Sequence, residues 1–99
     1  MATPEALLRY ADLTRQLLAL AQAEKWDDWL QLLPAREACF AQWQAEQQMG
    51  QLSEESRAIV KAALQCNQQM ELLVAARHQE LADLLHSARQ QQKLSSTYR

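Results

Sequence analysis

One glycine and two prolines in 99 residues leave the chain few places to turn. A single glycine cannot build a phosphate-cradling loop, so nucleotide binding of that kind is excluded. β-Branched residues are few, and no alternation of apolar and polar residues runs beyond a few positions, which excludes a sheet. No apolar run approaches the ~20 residues that span a bilayer, and no basic stretch leads into an apolar core at the N-terminus. Neither membrane insertion nor a signal peptide is therefore expected, and the expected location is the cytoplasm. The two cysteines, Cys39 and Cys66, lack metal or redox spacing and read as small apolar fillers in a reducing compartment. A net charge of −2 argues against direct binding of nucleic acid.

What is present is helix-forming sequence. Apolar residues make up 48% of the chain, enough to fold. The expected fold class is all-α: an antiparallel bundle in one domain, residues 1–99, with two short helices (about 4–23 and 27–47) and one long helix (about 53–93). Thr3-Pro4-Glu5 reads as a helix start, with Thr3 able to cap and Pro4 suited to the first turn. The apolar side of the first helix is Tyr10, Leu13, Leu17 and Leu20, with Leu7, Leu18 and Ala21 beside it. Asp27 and Asp28 suit the start of the second helix, whose apolar side is Trp29, Leu32, Leu33, Cys39, Phe40 and Trp43. Pro34 falls inside that pattern and predicts a kink or a late start. A linker of about two or three residues makes the first two helices a hairpin. Gly50 is the natural stop of the second helix, and Ser53-Glu54-Glu55 caps the third. After Lys93 good helix formers run out and a frayed tail, 94–99, is expected.

The third helix carries the most information. Val60, Ala63, Asn67, Met70, Val74, Arg77, Leu81, Leu84 and Ala88 recur three and four apart, a heptad-like stripe. A helix of ~40 residues is ~60 Å long, about twice the reach of either shorter helix. Its second half, from about Met70 to Ala88, therefore lacks cover. Leu72, Leu73, Val74, Leu81, Leu84 and Leu85 in that half would form a patch larger than a soluble monomer tolerates. Burying even four such side chains contributes on the order of 6–12 kcal/mol before ordering costs. Either a client or a second copy should take it. Two polar residues interrupt the stripe: Asn67 and Arg77 either set register, as in coiled coils, or, for Arg77, make an exposed contact. Arg36, at the centre of the second helix's apolar side, either pairs across the bundle or holds an acidic group of a client. From Leu84 onward the chain has three basic residues, Arg89, Lys93 and Arg99, and no acidic one, a pattern that complements a helix C-terminus.

No catalytic constellation emerges. Adjacent Asp27 and Asp28 point ~100° apart on a helix and do not suit paired acid–base work. Asp83-x-x-His86 faintly resembles the carboxylate-x-x-His element of dinuclear metal bundles, but no matching element stands on another helix. No enzyme, metal or cofactor is expected.

Trp26-Asp27-x-Trp29-x-x-Leu32-x-x-x-Arg36 follows a first helix ending Leu-Leu-Ala-Leu-Ala-Gln (17–22). Asn67-x-x-Met70-x-x-x-Val74-x-x-Arg77-x-x-x-Leu81 and Lys93-Leu94-x-x-x-Tyr98 follow later in the same order. Over residues 7–98 this series resembles the FliT family of flagellar type III export chaperones. The resemblance implies a small helical protein that holds the filament-cap protein before export, engages components of the export ATPase complex, and in some bacteria restrains the flagellar master transcription regulator. It implies a client surface on the second and third helices comprising Met70, Leu73, Val74, Arg77, Leu81, Leu84 and Leu85, with Tyr98 aligned to a tyrosine linked to the regulator. Arg36 and Asn67 are expected as structural polar residues of the core. Pro34 departs from the family pattern. Longer relatives continue into a further C-terminal helix that can mask the binding surface, so the surface is expected to be open here. The alternative is a structural coiled-coil subunit, a homodimer paired through the long helix.

Overall fold

The computed structural model describes residues 3–46 and 52–97. It consists of α1 (Glu5–Gln22), α2 (Trp26–Glu46) and α3 (Glu54–Thr97), with no strand among the described residues. The fold is the expected all-α one, and α3 is by far its longest element. The molecule is a rod 72 Å long and 21 Å across, its length set by α3.

Each helix start has a local cause, and one differs from expectation. Pro4, not Thr3, is the cap residue of α1, and no side chain caps it. The Pro4 carbonyl accepts the first helical bond, from Leu8 N–H at 3.2 Å. Thr3 instead donates its hydroxyl to Glu55 Oε2 at 2.8 Å, tying the start of α1 to the first turn of α3. The side-chain position that reaches Glu55 makes no cap bond to the α1 amides. Ser53 caps α3 as expected: its Oγ accepts from Ser56 N–H at 3.1 Å, and its carbonyl from Arg57 N–H at 2.9 Å.

The α1–α2 connection is a Schellman closure. Lys25 N–H reaches back to the Leu20 carbonyl at 2.9 Å and Glu24 N–H to the Ala21 carbonyl at 3.1 Å. This geometry puts Glu24 at φ 59°, a left-handed position that glycine usually fills. The Lys25 carbonyl then accepts from Trp29 N–H, so α2 begins at once. Pro34 neither delays nor interrupts it: α2 is one helix from Trp26 through Glu46. Pro34 is exposed, so water can take the carbonyl that its missing N–H leaves free. The expected stop at Gly50 lies outside the described residues. α3 continues through Thr97 rather than ending at Lys93. Ser and Thr cost only about half a kcal/mol per residue in a helix, and nothing at 94–97 forces a break.

α1 is the central element. Its small and medium residues Ala6, Leu7, Ala11, Thr14, Leu17 and Ala21 are buried, and it packs against both other helices. The backbones of α2 and α3 stay more than 8 Å apart and meet only through long side chains. Two apolar clusters result. At one end Ala6, Leu7 and Trp43 gather Phe40, Leu52, Ile59 and Val60. At the other, Leu17, Ala21 and Met70 gather Trp26, Trp29, Leu32, Leu33, Leu73 and Val74. Cys39 and Cys66 are free and half-buried.

Candidate functional site: a groove and an overhang on the long helix

A polar layer lies between the two apolar clusters, with one residue from each helix. Arg36 on α2 donates from Nη1 to Asn67 Oδ1 on α3 at 2.7 Å. Asn67 donates from Nδ2 to the Tyr10 hydroxyl on α1 at 3.2 Å. The Arg36 guanidinium lies 5.8 Å from the Tyr10 ring centroid, within cation–π range, and its Nη2 pairs with Glu37 Oε1 at 3.0 Å. Arg36 Nε is buried and has no acceptor among the described residues. The layer joins α2 to α3 where their backbones do not touch. Arg36 and Asn67 are thus hydrogen-bonded to each other across the bundle.

Beside this layer, on the side away from α1, α2 and α3 diverge into a groove of about 390 Å³. Trp29, Leu33, Arg36, Met70, Val74 and Ala75 line it, with Glu37, Glu71 and His78 at its edges. Trp29 donates from Nε1 to Met70 Sδ at 3.2 Å, which fixes the indole at the base. The groove exists because α1 occupies the other side of the α2–α3 gap and only side chains bridge it.

The expected uncovered stretch divides in two. Met70 is 4% exposed and belongs to the core, because the hairpin covers α3 as far as about Arg77. Leu73 and Val74 are half-buried against Leu17, Ala21 and Met70. Arg77 is partly covered: it pairs with Glu80 at 3.3 Å and lines a small cavity of about 120 Å³ with Glu24 and Trp26 at the hairpin tip. Beyond that point every described side chain to Lys93 is exposed, including Leu81 (41%), Leu84 (64%) and Leu85 (60%). The overhang from Leu81 is ~17 residues, or ~25 Å. Leu72, 74% exposed, does not join the stripe, since nine residues from Leu81 is half a turn off. Tyr98 lies outside the described residues.

Two groove residues, Trp29 and Leu33, were legible only as part of an apolar face on α2. Which side of α3 they would flank depends on the hairpin's packing, and no sequence period encodes that. Among the described residues no three His, Cys, Asp or Glu side chains come together as a metal site, and no helix is long and apolar enough to cross a membrane.

A helical hairpin buried on one half of a long helix, with an apolar groove beside it and a bare continuation beyond it, defines a small helical scaffold for binding other proteins. Residues 4–99 match the family described as flagellar protein FliT, and the chain belongs to that family of flagellar export chaperones. Comparisons with curated proteins and with solved structures give no match.

Proposed function

We propose that this chain holds the flagellar filament-cap protein in the cytoplasm and delivers it to the export apparatus, engaging components of the export ATPase complex. Restraint of the flagellar master transcription regulator is part of the same proposal, with Tyr98 as the residue to test. One observation carries the reading. The stripe that the hairpin buries on α3 up to Val74 continues past the hairpin as exposed Leu81, Leu84 and Leu85. An amphipathic client helix laid along this surface would cover what the chain itself leaves bare, as helix-in-groove recognition does. Met70, Leu73 and Val74 would support that surface from beneath, and Arg77 would stand where it leaves the hairpin.

The experiment is capture of the filament-cap protein by wild type and Leu81→Asp. Loss of capture by a variant whose circular dichroism matches wild type supports the proposal. Undiminished capture removes this surface from consideration. The continuation of the stripe past the hairpin also favours a second reading, permanent pairing of two long helices. Sedimentation separates the two: a dimer that resists dilution supports pairing, and a monomer that binds the cap protein supports the chaperone.

A further inference from the structure

The groove and the overhang form one track along a single flank of α3, and that track has a charge polarity. Ala75 and His78 line the groove. Continuing three and four residues at a time, the same flank passes Ala82 and Leu85 and reaches Arg89. Glu71 stands at the groove end of the track. Glu71 and Arg89 are eighteen residues apart, about five helical turns, so they occupy the same angular position ~27 Å from each other. Both are exposed, and neither has an ion-pair partner among the described residues. The other charges near the stripe behave differently. Arg36 is engaged by Glu37 and Arg77 by Glu80. Past Asp83 the sequence has no Asp or Glu.

We infer that the partner this surface fits is an amphipathic helix of at least five turns that runs antiparallel to α3, with acidic residues in its first turns and a basic residue near its end. The two unpaired charges favour a partner with an acid over Arg89 and a base over Glu71. A free-standing helix that satisfies its own dipole carries acids at its N-terminus and bases at its C-terminus. Only the antiparallel direction meets both conditions together. The small side chains Ala75 and Ala82 leave room for the incoming helix to approach closely, and Val74 and Leu85 supply the apolar contact. This inference rests on the reading of the groove and overhang as the client surface, and it adds the direction and charge of the client segment.

The test uses two synthetic 21-residue peptides with the same leucine stripe and no tryptophan. One carries Glu in its first two turns and Lys in its last two, and the other has these reversed. Binding is followed by the fluorescence of the protein's tryptophans, Trp29 lying in the groove. The full chain should bind the Glu-first peptide about three- to tenfold more tightly, since each exposed pair contributes modestly. The preference should shrink at high salt. The exposed double variant Glu71→Lys with Arg89→Glu should reverse it. Equal affinity for the two peptides, a preference unchanged in the double variant, or no binding of either overturns the inference. If that occurs while Leu81→Asp still abolishes capture of the cap protein, only direction and charge are lost and the chaperone proposal stands. Undiminished capture by Leu81→Asp removes the surface itself.

Discussion

Arg36 Nη1 lies 2.7 Å from Asn67 Oδ1, and this bond joins two helices whose backbones stay more than 8 Å apart. The Asn67 carboxamide is used on both sides, accepting from Arg36 and donating to the Tyr10 hydroxyl. Slipping any of the three helices by one residue would break the layer and leave polar groups unsatisfied between two apolar clusters. Such a layer specifies register more than it adds stability, the use for which buried polar groups are best attested.

That role has a measurable signature. Asn67→Ala should destabilise by roughly 1–3 kcal/mol, because it removes a bond to a charged donor and leaves the Arg36 fork half-satisfied. Arg36→Met combined with Asn67→Leu should cost less than the sum of the single changes, since no donor is then stranded. Urea unfolding of the four proteins gives the coupling energy. Strict additivity would show that the two side chains do not act as a unit.

Glu24 offers a change in the opposite direction. Its φ of 59° is imposed by the Schellman closure of α1, and a non-glycine residue is disfavoured there. Glu24→Gly should raise stability by about 0.5–1 kcal/mol, net of the entropy that glycine gains in the unfolded chain. The midpoint in urea should rise with an unchanged slope. A lower midpoint would mean that the Glu24 side chain makes a contact worth more than the backbone relief.

Separating Met70 from Leu84 tests where the core ends. Met70 is 4% exposed and receives the Trp29 indole N–H, whereas Leu84 is 64% exposed on the overhang. Met70→Ala should cost about 2–4 kcal/mol by opening a cavity against Leu17 and Trp29. Leu84→Ala should change stability by less than about 0.5 kcal/mol, as exposed positions do. In capture of the filament-cap protein the Leu84 variant should nonetheless be the impaired one of the two, when each is assayed well below its unfolding midpoint. Equal stability losses would mean that Leu84 is covered in solution.

These contrasts also show which parts of the molecule could be read from the sequence. The three helices followed from the near absence of Gly and Pro and from the period of Val60, Ala63, Asn67 and Met70, because period alone dictates which residues share a helix face. Ser53 could be read as a cap because its partner is three residues away. Thr3 reads as a cap by the same local logic but is not one, because Glu55, which takes its hydroxyl, is distant in sequence. The left-handed residue between α1 and α2 was hidden for a related reason: no glycine marks it. Arg36 and Asn67 stood out as polar interruptions, but their pairing depends on the rotation of α2 against α3. The bare part of α3 begins near Arg77 rather than at Met70, about two turns later than its period suggests, since how far a hairpin reaches depends on its packing.

The bare end of α3 leads to the last prediction. From Leu81 to Lys93 every described side chain of α3 is exposed, and isolated helices of ~17 residues are marginal. Propensity alone does not offset this: Gln90, Gln91 and Gln92 are good helix formers, but Ser95, Ser96 and Thr97 each cost about half a kcal/mol relative to Ala. Hydrogen exchange should therefore find the amides of 54–77 protected to near the global stability and those beyond Leu81 exchanging through local opening. The boundary should fall within about one turn of Glu80, where the hairpin tip ends. Addition of the filament-cap protein should extend protection outward from Leu81 past Leu85, because ordering the overhang is then coupled to burying its leucines. If the overhang is already as well protected as 54–77 in the isolated chain, and protection there falls on dilution, a second copy covers it and permanent pairing displaces the chaperone reading.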